Sequence, residues 1–343
     1  VRKNNYHTDM KRKNFKHWGL FIALQFITLS LFAQGPNNTG TYYQNANGKK
    51  GKALKTAMFN IISKHSQLSY DELWTAFKTT DKREDGKVWD MYSDKTNYVF
   101  GSSAQGANYR KEGDSYNREH SFPKSWFNDA KPMYTDLVHL VPTDGYVNNR
   151  RGNLPFGETD GDTYKSHNSF CKVGTCTYPG YRGDVFEPND MYKGDFARIY
   201  FYMATAYEDK IANWNTGEFA SIASYDFYKP YKDWQMKMLM EWSKKDPVSQ
   251  KGISRGKGIP SLQANRTPFV DYPGLEEYIW GSMQNVAFSY DNYQGVTSIP
   301  FIEFEAEPIY PKGWYNLNGQ KVGEECPTQK GIYIHNGKKI VVE

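Results

Sequence analysis

The chain has 343 residues, enough for one large domain or two ordinary ones, and 38% of them are hydrophobic, which is low but adequate for a core. Its formal charge of +5 is concentrated at one end, because residues 1–34 alone carry a net +5, with six basic side chains against Asp9. The remainder is near neutral, so general basicity gives no ground for a nucleic-acid partner, and any phosphate-binding field must come from charges arranged around a site.

In chain order, Lys11, Arg12, Lys13 and Lys16 precede an apolar run over 19–32, followed by Ala33-Gln34. That order predicts a secretory signal peptide, residues 1–33, cut after Ala33. The run is too short for a comfortable membrane span. The mature protein is therefore expected to be secreted, periplasmic or on the cell surface, with no membrane span. Beyond a polar lead-in, Ala53, Leu54, Ala57, Met58, Ile61 and Ile62 fall on one helical face. Ser69 with Glu72 forms a capping box for a second helix. Residues 87–100 look extended. Thr135 to Pro142 reads as a short strand, Asp144-Gly145 as a turn, and residues 146–151 as one or two helical turns. Phe196, Ile199, Tyr200, Met203 and Tyr207 mark a long helix, with Asp195 available as its N-cap. Trp234, Met238 and Trp242 mark another over 233–244. Asp246-Pro247 is expected to cap a further short helix, residues 255–268 are broken by Gly and Pro, and 275–280 form a last helical turn. Cys171 and Cys176 enclose a Gly-containing loop and, in an exported protein, read as a local disulfide; Cys326 is left over. After about residue 298 the composition shifts to strand-like segments punctuated by Asn318-Gly319 and Asn336-Gly337, both hairpin signals.

The chemistry gathers between Asn117 and Asn153. Asn117-Arg118-Glu119-His120 sets a carboxylate beside an imidazole, and Val147-Asn148-Asn149-Arg150-Arg151-Gly152-Asn153 follows with amides and guanidiniums. Phosphodiester hydrolysis needs a base for water, a cation to offset phosphate charge and donors that hold the phosphate in line. His120 suits the base, since its unperturbed pKa lies near operating pH. Glu119 and an Asn amide oxygen suit a hard divalent ion, Mg²⁺ or else Mn²⁺ or Ca²⁺. Arg118, Arg150, Arg151 and Arg198 are the candidates for gripping phosphate, with Arg151 and Arg118 placed first. Adjacent residues of a strand point to opposite faces, so Glu119 and His120 can serve one site only at a strand end or a distorted turn.

Taken together, Tyr-Asn-Arg-Glu-His-Ser-Phe-Pro-Lys-Ser-Trp-Phe (116–127) and Thr-Asp-Leu-Val-His-Leu-Val-Pro-Thr-Asp-Gly-Tyr-Val-Asn-Asn-Arg-Arg-Gly-Asn-Leu-Pro-Phe-Gly-Glu (135–158) resemble the bacterial endonuclease I family. The likeness runs through residues 194–203 and 265–273 and covers roughly 50–285. It implies an α+β fold, a helical domain (35–290) around a ββα-metal core near 115–153, while the shift in composition after about residue 298 sets off a small C-terminal β-tail (298–343). The likeness further implies a metal-dependent, sequence-nonspecific endonuclease of DNA, and of RNA as the alternative; the short edges of the tail give no dimer signal, so a monomer is expected. On that pattern Glu119 and Asn148 are metal ligands, with Asn149 and Asn153 as lesser choices, and His120 is the general base. One branch of the family carries its phosphate-fixing Arg in an insertion between the two motifs. Here that link, 128–134, is short and has no Arg. The tail itself resembles the C-terminal β-tails of exported Bacteroidetes proteins, some of which serve secretion.

Overall fold

Leu54, Met58 and Ile62 recur at four-residue spacing, and in the computed structural model they are fully buried on one face of helix α1 (Gly51–Ile62). The structure describes residues 38–214, 216–295, 313–316, 320–335 and 338–342. The expected signal peptide and both Asn-Gly turns of the tail lie outside them.

Helix α2 (Glu72–Thr80) begins as its capping box requires. The Ser69 N–H donates to Glu72 Oε2 at 2.6 Å, and the Glu72 N–H donates to Ser69 Oγ at 3.3 Å. Strands β1 (Tyr116–His120) and β2 (Leu140–Asp144) then pair antiparallel, with Glu119 opposite Val141 and His120 opposite Leu140. Helix α3 (Gly145–Arg151) follows directly. The strand expected over 135–142 is therefore displaced. Residues 133–135 form a 3-10 turn instead, and Asp144 is no loop residue but the N-cap of α3, accepting from the Val147 N–H at 2.8 Å.

A second sheet, β3 (Tyr164–Lys165), β4 (Lys172–Thr175) and β5 (Asp184–Glu187), is antiparallel throughout. It overturns the expected disulfide. Cys171 and Cys176 flank β4, both are buried, and both are free thiols. An extended strand separates residues five apart by about 16 Å, whereas a disulfide needs Cα atoms within about 7 Å.

The core is closed by helices. The long α4 (Asp190–Ala206) starts five residues before the expected cap. Asn189 accepts from the Met191 N–H at 3.1 Å, while Asp195 sits inside the helix, paired with Arg198 at 2.9 Å. Helix α5 (Asp233–Lys245) matches expectation within a residue. Helix α6 (Gln250–Gln263) does not, because it runs straight through the Gly- and Pro-rich stretch, capped by Ser249 rather than Asp246. Its glycines serve close packing. A Cβ on Gly258 would stand 3.1–3.2 Å from the methyls of Thr80 and Thr79 in α2, so side chains there would push the two helices apart. Short helices α7 (Pro268–Asp271) and α8 (Leu275–Ile279) complete this unit.

Strands β6 (Trp314–Tyr315), β7 (Lys321–Gly323), β8 (Gly331–His335) and β9 (Lys338–Val342) form an antiparallel sheet in the order β7-β6-β8-β9. The chain divides into two compact units between residues 299 and 300, and this sheet belongs to the second. The architecture is α+β.

Candidate active site

Period two along β1 sorts its side chains onto two faces. Asn117 and Glu119 share the face covered by α3. Asn148 Nδ2 donates to Asn117 Oδ1 at 2.8 Å, and three residues on, Arg151 reaches the Glu119 carboxylate. Three helical residues rise about 4.5 Å and two strand residues about 6.7 Å. The helix thus lies along the strand, with Asn148 beside Asn117 and Arg151 beside Glu119. Gly145 lets it begin there, since a Cβ at that position would stand 2.6 Å from the Tyr109 ring and 3.2 Å from the Ser115 carbonyl. The cap, Asp144, is held in turn by the Tyr98 hydroxyl (2.6 Å) and the Gly113 N–H (2.7 Å).

Glu119 is buried, yet its two oxygens differ. Oε1 accepts from the Tyr92 hydroxyl at 2.8 Å and from Arg151 Nη1. Oε2 accepts no hydrogen bond among the described residues. Arg151, 1% exposed, also donates to the His120 carbonyl (3.0 Å) and the Ser121 carbonyl (2.8 Å). Its guanidinium is turned wholly inward.

The other face of β1 carries Arg118 and His120. Arg118 lies over Tyr70, its guanidinium carbon 3.5 Å from the ring centroid, and 4.4 Å from that of Trp74. Its Nη1 donates to the Tyr70 carbonyl at 2.7 Å. His120 stacks on Tyr70 at 6.1 Å and contacts Tyr134 and His139 at 5.2 and 5.5 Å. Its Nε2 lies 3.0 Å from the Tyr134 carbonyl. A carbonyl only accepts, so Nε2 carries the proton and the neutral ring keeps its lone pair on Nδ1. Burial, reinforced by His139, Lys124 and Arg118, holds His120 well below the ordinary imidazole range, so the ring is neutral at pH 7. His120 is also the last residue of β1, the strand end at which neighbours on opposite faces can converge.

The segment that supplies the Tyr134 carbonyl is braced from behind. Arg255 of α6 donates to the carbonyls of Leu137 (2.5 Å), Val138 (3.3 Å) and Leu140 (3.0 Å) and pairs with Asp81. Asp136 accepts from Tyr202 (2.9 Å), Tyr207 (2.6 Å) and Gln263 (2.9 Å).

Among the remaining candidates, Asn149 and Asn153 are exposed and Arg150 is exposed on the outer side of α3. Arg198 is buried between α4 and the 246–247 link, donating to the Asp246 and Pro247 carbonyls at 3.0 and 3.1 Å. Tyr92, Asn117, Asp144 and the Tyr134 carbonyl complete the site but were not among the expected residues. Only Asn117 carried a usable signal, standing two positions before Glu119 on the same strand face.

The donor set can be tested against a hard divalent cation. Glu119 Oε2 has no hydrogen-bond partner among the described residues. Asn148, committed through Nδ2 to Asn117, has its Oδ1 left as an acceptor. Both are hard oxygens, as Mg²⁺ requires. Among the described residues no group of three or more His, Cys, Asp or Glu could hold a metal, so such an ion would keep several waters, which suits Mg²⁺ as well.

Two antiparallel strands feeding a helix, with Glu-His on the first strand and Asn on the helix, define a ββα nuclease-type centre. A family model described as Endonuclease I matches residues 50–274. The chain is 37% identical over 254 residues to the "Extracellular ribonuclease" of Bacillus subtilis (strain 168), covering 71% of this chain and 79% of the relative. The "Extracellular ribonuclease" of Bacillus amyloliquefaciens matches equally, at 37% over 254 residues. "Endonuclease-1" of Buchnera aphidicola subsp. Baizongia pistaciae (strain Bp) is 26% identical over 136 residues, covering 40% of this chain and 46% of that one. The chain belongs to the endonuclease I family, and with it to the nucleases, hydrolases of phosphodiester bonds. No helix among the described residues is long and apolar enough to cross a membrane.

Proposed function

We propose that the protein is an exported nuclease that cuts the nucleic-acid backbone without reading its sequence, using His120 as general base and a divalent cation held by Glu119 and Asn148. Bound there, the cation supplies positive charge against the phosphate and the departing oxygen. His120 Nδ1 takes the proton of the attacking water, with Nε2–H fixed on the Tyr134 carbonyl so that the lone pair stays in place. Water attacks phosphorus, the 3′ oxygen leaves, and a 5′-phosphate end results. Arg118, lying over Tyr70 and Trp74 on the His120 face, is the phosphate-facing arginine. Arg151 acts through Glu119, as a positioning residue. The observation that carries the reading is the alignment of α3 on β1, which sets Asn148 and Glu119 along one face of the strand, with His120 at the strand's end on the other.

Because water is the nucleophile, the chemistry needs no 2′-hydroxyl, and DNA and RNA are both substrates. The names of the two Bacillus relatives favour RNA as a substrate. Export is supported by the basic-then-apolar segment within residues 11–32 and by the word extracellular in those names. Incubating plasmid, linear DNA and RNA with Mg²⁺ or with EDTA tests the reading. Cleavage with Mg²⁺, blocked by EDTA and lost in His120→Ala, is expected. Cleavage unaffected by EDTA would overturn the metal, and an unchanged His120→Ala would overturn the base.

A further inference from the structure

Arg150 precedes Arg151 in sequence, but its side chain takes the opposite course. It is exposed, and its guanidinium carbon lies 4.9 Å from the Tyr146 ring centroid and 5.5 Å from that of Tyr164. Tyr146 is four residues back on α3 and so shares its face. Its hydroxyl accepts from Arg150 Nη2 at 2.5 Å. Tyr164 comes from β3, in a different sheet, and the two rings meet edge-on at 6.3 Å. Among the described residues no carboxylate forms an ion pair with Arg150, and its neighbours are these two phenols. Most surface arginines are either mobile or neutralised by an acid. This one lies against two half-exposed rings.

Its place on the helix gives the feature a use. Arg150 stands two residues after Asn148, on the opposite side of α3 from β1. Only the width of one helix, about 10 Å, separates it from the proposed metal ligand. A strand whose scissile phosphate lies at Glu119, His120 and Asn148 covers that distance in a few nucleotides. We propose that Arg150, Tyr146 and Tyr164 form an accessory subsite that grips single-stranded nucleic acid beside the cleavage point, the guanidinium on a phosphate and an aromatic face on an unstacked base. Phosphates are available in any nucleic acid, but a free base face is available only in a single strand. The arginine therefore contributes to binding of all substrates, and the tyrosine ring selects single strands, RNA or DNA. The inference rests on the nuclease reading above.

The test uses the full chain with Mg²⁺, measuring kcat/KM on a single-stranded oligonucleotide and on the duplex of the same sequence. Tyr164→Ala is expected to lose roughly 10-fold on the single strand, mainly in KM, with duplex cleavage within about twofold of wild type, and Tyr164→Phe should behave as wild type. Arg150→Ala should weaken both substrates and reduce the salt slope by about one. Equal losses on both substrates in Tyr164→Ala, or no loss on either, overturn the subsite. Failure of the wild type to cut either substrate overturns the nuclease reading itself.

Discussion

Replacing Arg151 by Met separates two roles that the sequence allows for this residue. Methionine roughly keeps the stem and removes the guanidinium. In the structure that group is fully buried, opposite a carboxylate that is 5% exposed. Removing one partner of a buried ion pair costs about 3–5 kcal/mol, because the other charge is stranded in a poorly solvating interior. The carbonyls of His120 and Ser121 lose donors as well, at about 1–3 kcal/mol each when nothing replaces them. These terms overlap, and the sum approaches a whole domain stability of about 5–15 kcal/mol. Urea unfolding of Arg151→Met should therefore show a loss of at least about 3 kcal/mol. Adding Glu119→Gln removes the stranded charge, so the double variant should be more stable than the sum of the single losses by about 1 kcal/mol or more. A variant within about 1 kcal/mol of wild type, correctly folded but with a raised KM for nucleic acid, would refute this and return Arg151 to the phosphate.

Three further outcomes follow from the same geometry. Burial holds the fully buried His139 below the ordinary imidazole range, so the unfolded chain binds its proton first. Stability from this group is complete above about pH 6.5 and falls as pH drops below it; replacing the imidazole in His139→Gln should make the urea midpoint less sensitive to lowering pH from about 7 to 5, and an unchanged pH slope would contradict this. Asp144→Ala removes the N-cap of α3 together with the acceptor for Tyr98 and Gly113. It should cost about 1–2 kcal/mol from the cap alone, and a melting temperature equal to wild type would count against it. A thiol reagent should titrate Cys326 in the native protein and all three cysteines only after unfolding, as their burial requires. Finding a single reactive thiol even after unfolding would mean that Cys171 and Cys176 are bonded after all.

The parts of the fold legible in the sequence are those where local chemistry decides. Ser69 and Glu72 satisfy each other's backbone, and the apolar stripe of α1 has nowhere else to go. The strand-strand-helix order around Glu119, His120 and Asn148 was equally readable, as was the need for a strand end at His120. The errors arose where tertiary contacts override local preference. Glycine and proline counted against α6, but its glycines lie at close contacts, Gly258 against α2, Gly252 against Asp195 and Gly256 against Val270. Asp195 has the composition of a cap and is used instead by Arg198. Cys171 and Cys176 are close in sequence, and only the pairing of β4 on both sides shows that they are held apart. Arg150 and Arg151 are indistinguishable as letters. Position on α3 sends one outward onto two tyrosines and the other inward onto Glu119, and that depends on how the helix is rolled against β1.

In the proposed reaction His120, its tautomer fixed by the Tyr134 carbonyl, takes the proton of the attacking water. Single-turnover cleavage of one defined oligonucleotide at saturating Mg²⁺, wild type against His120→Ala, measures it most directly. The His120→Ala rate should be lower by about 10²–10⁴-fold with substrate affinity unchanged. A folded His120→Ala that cleaves within a few-fold of wild type would contradict it.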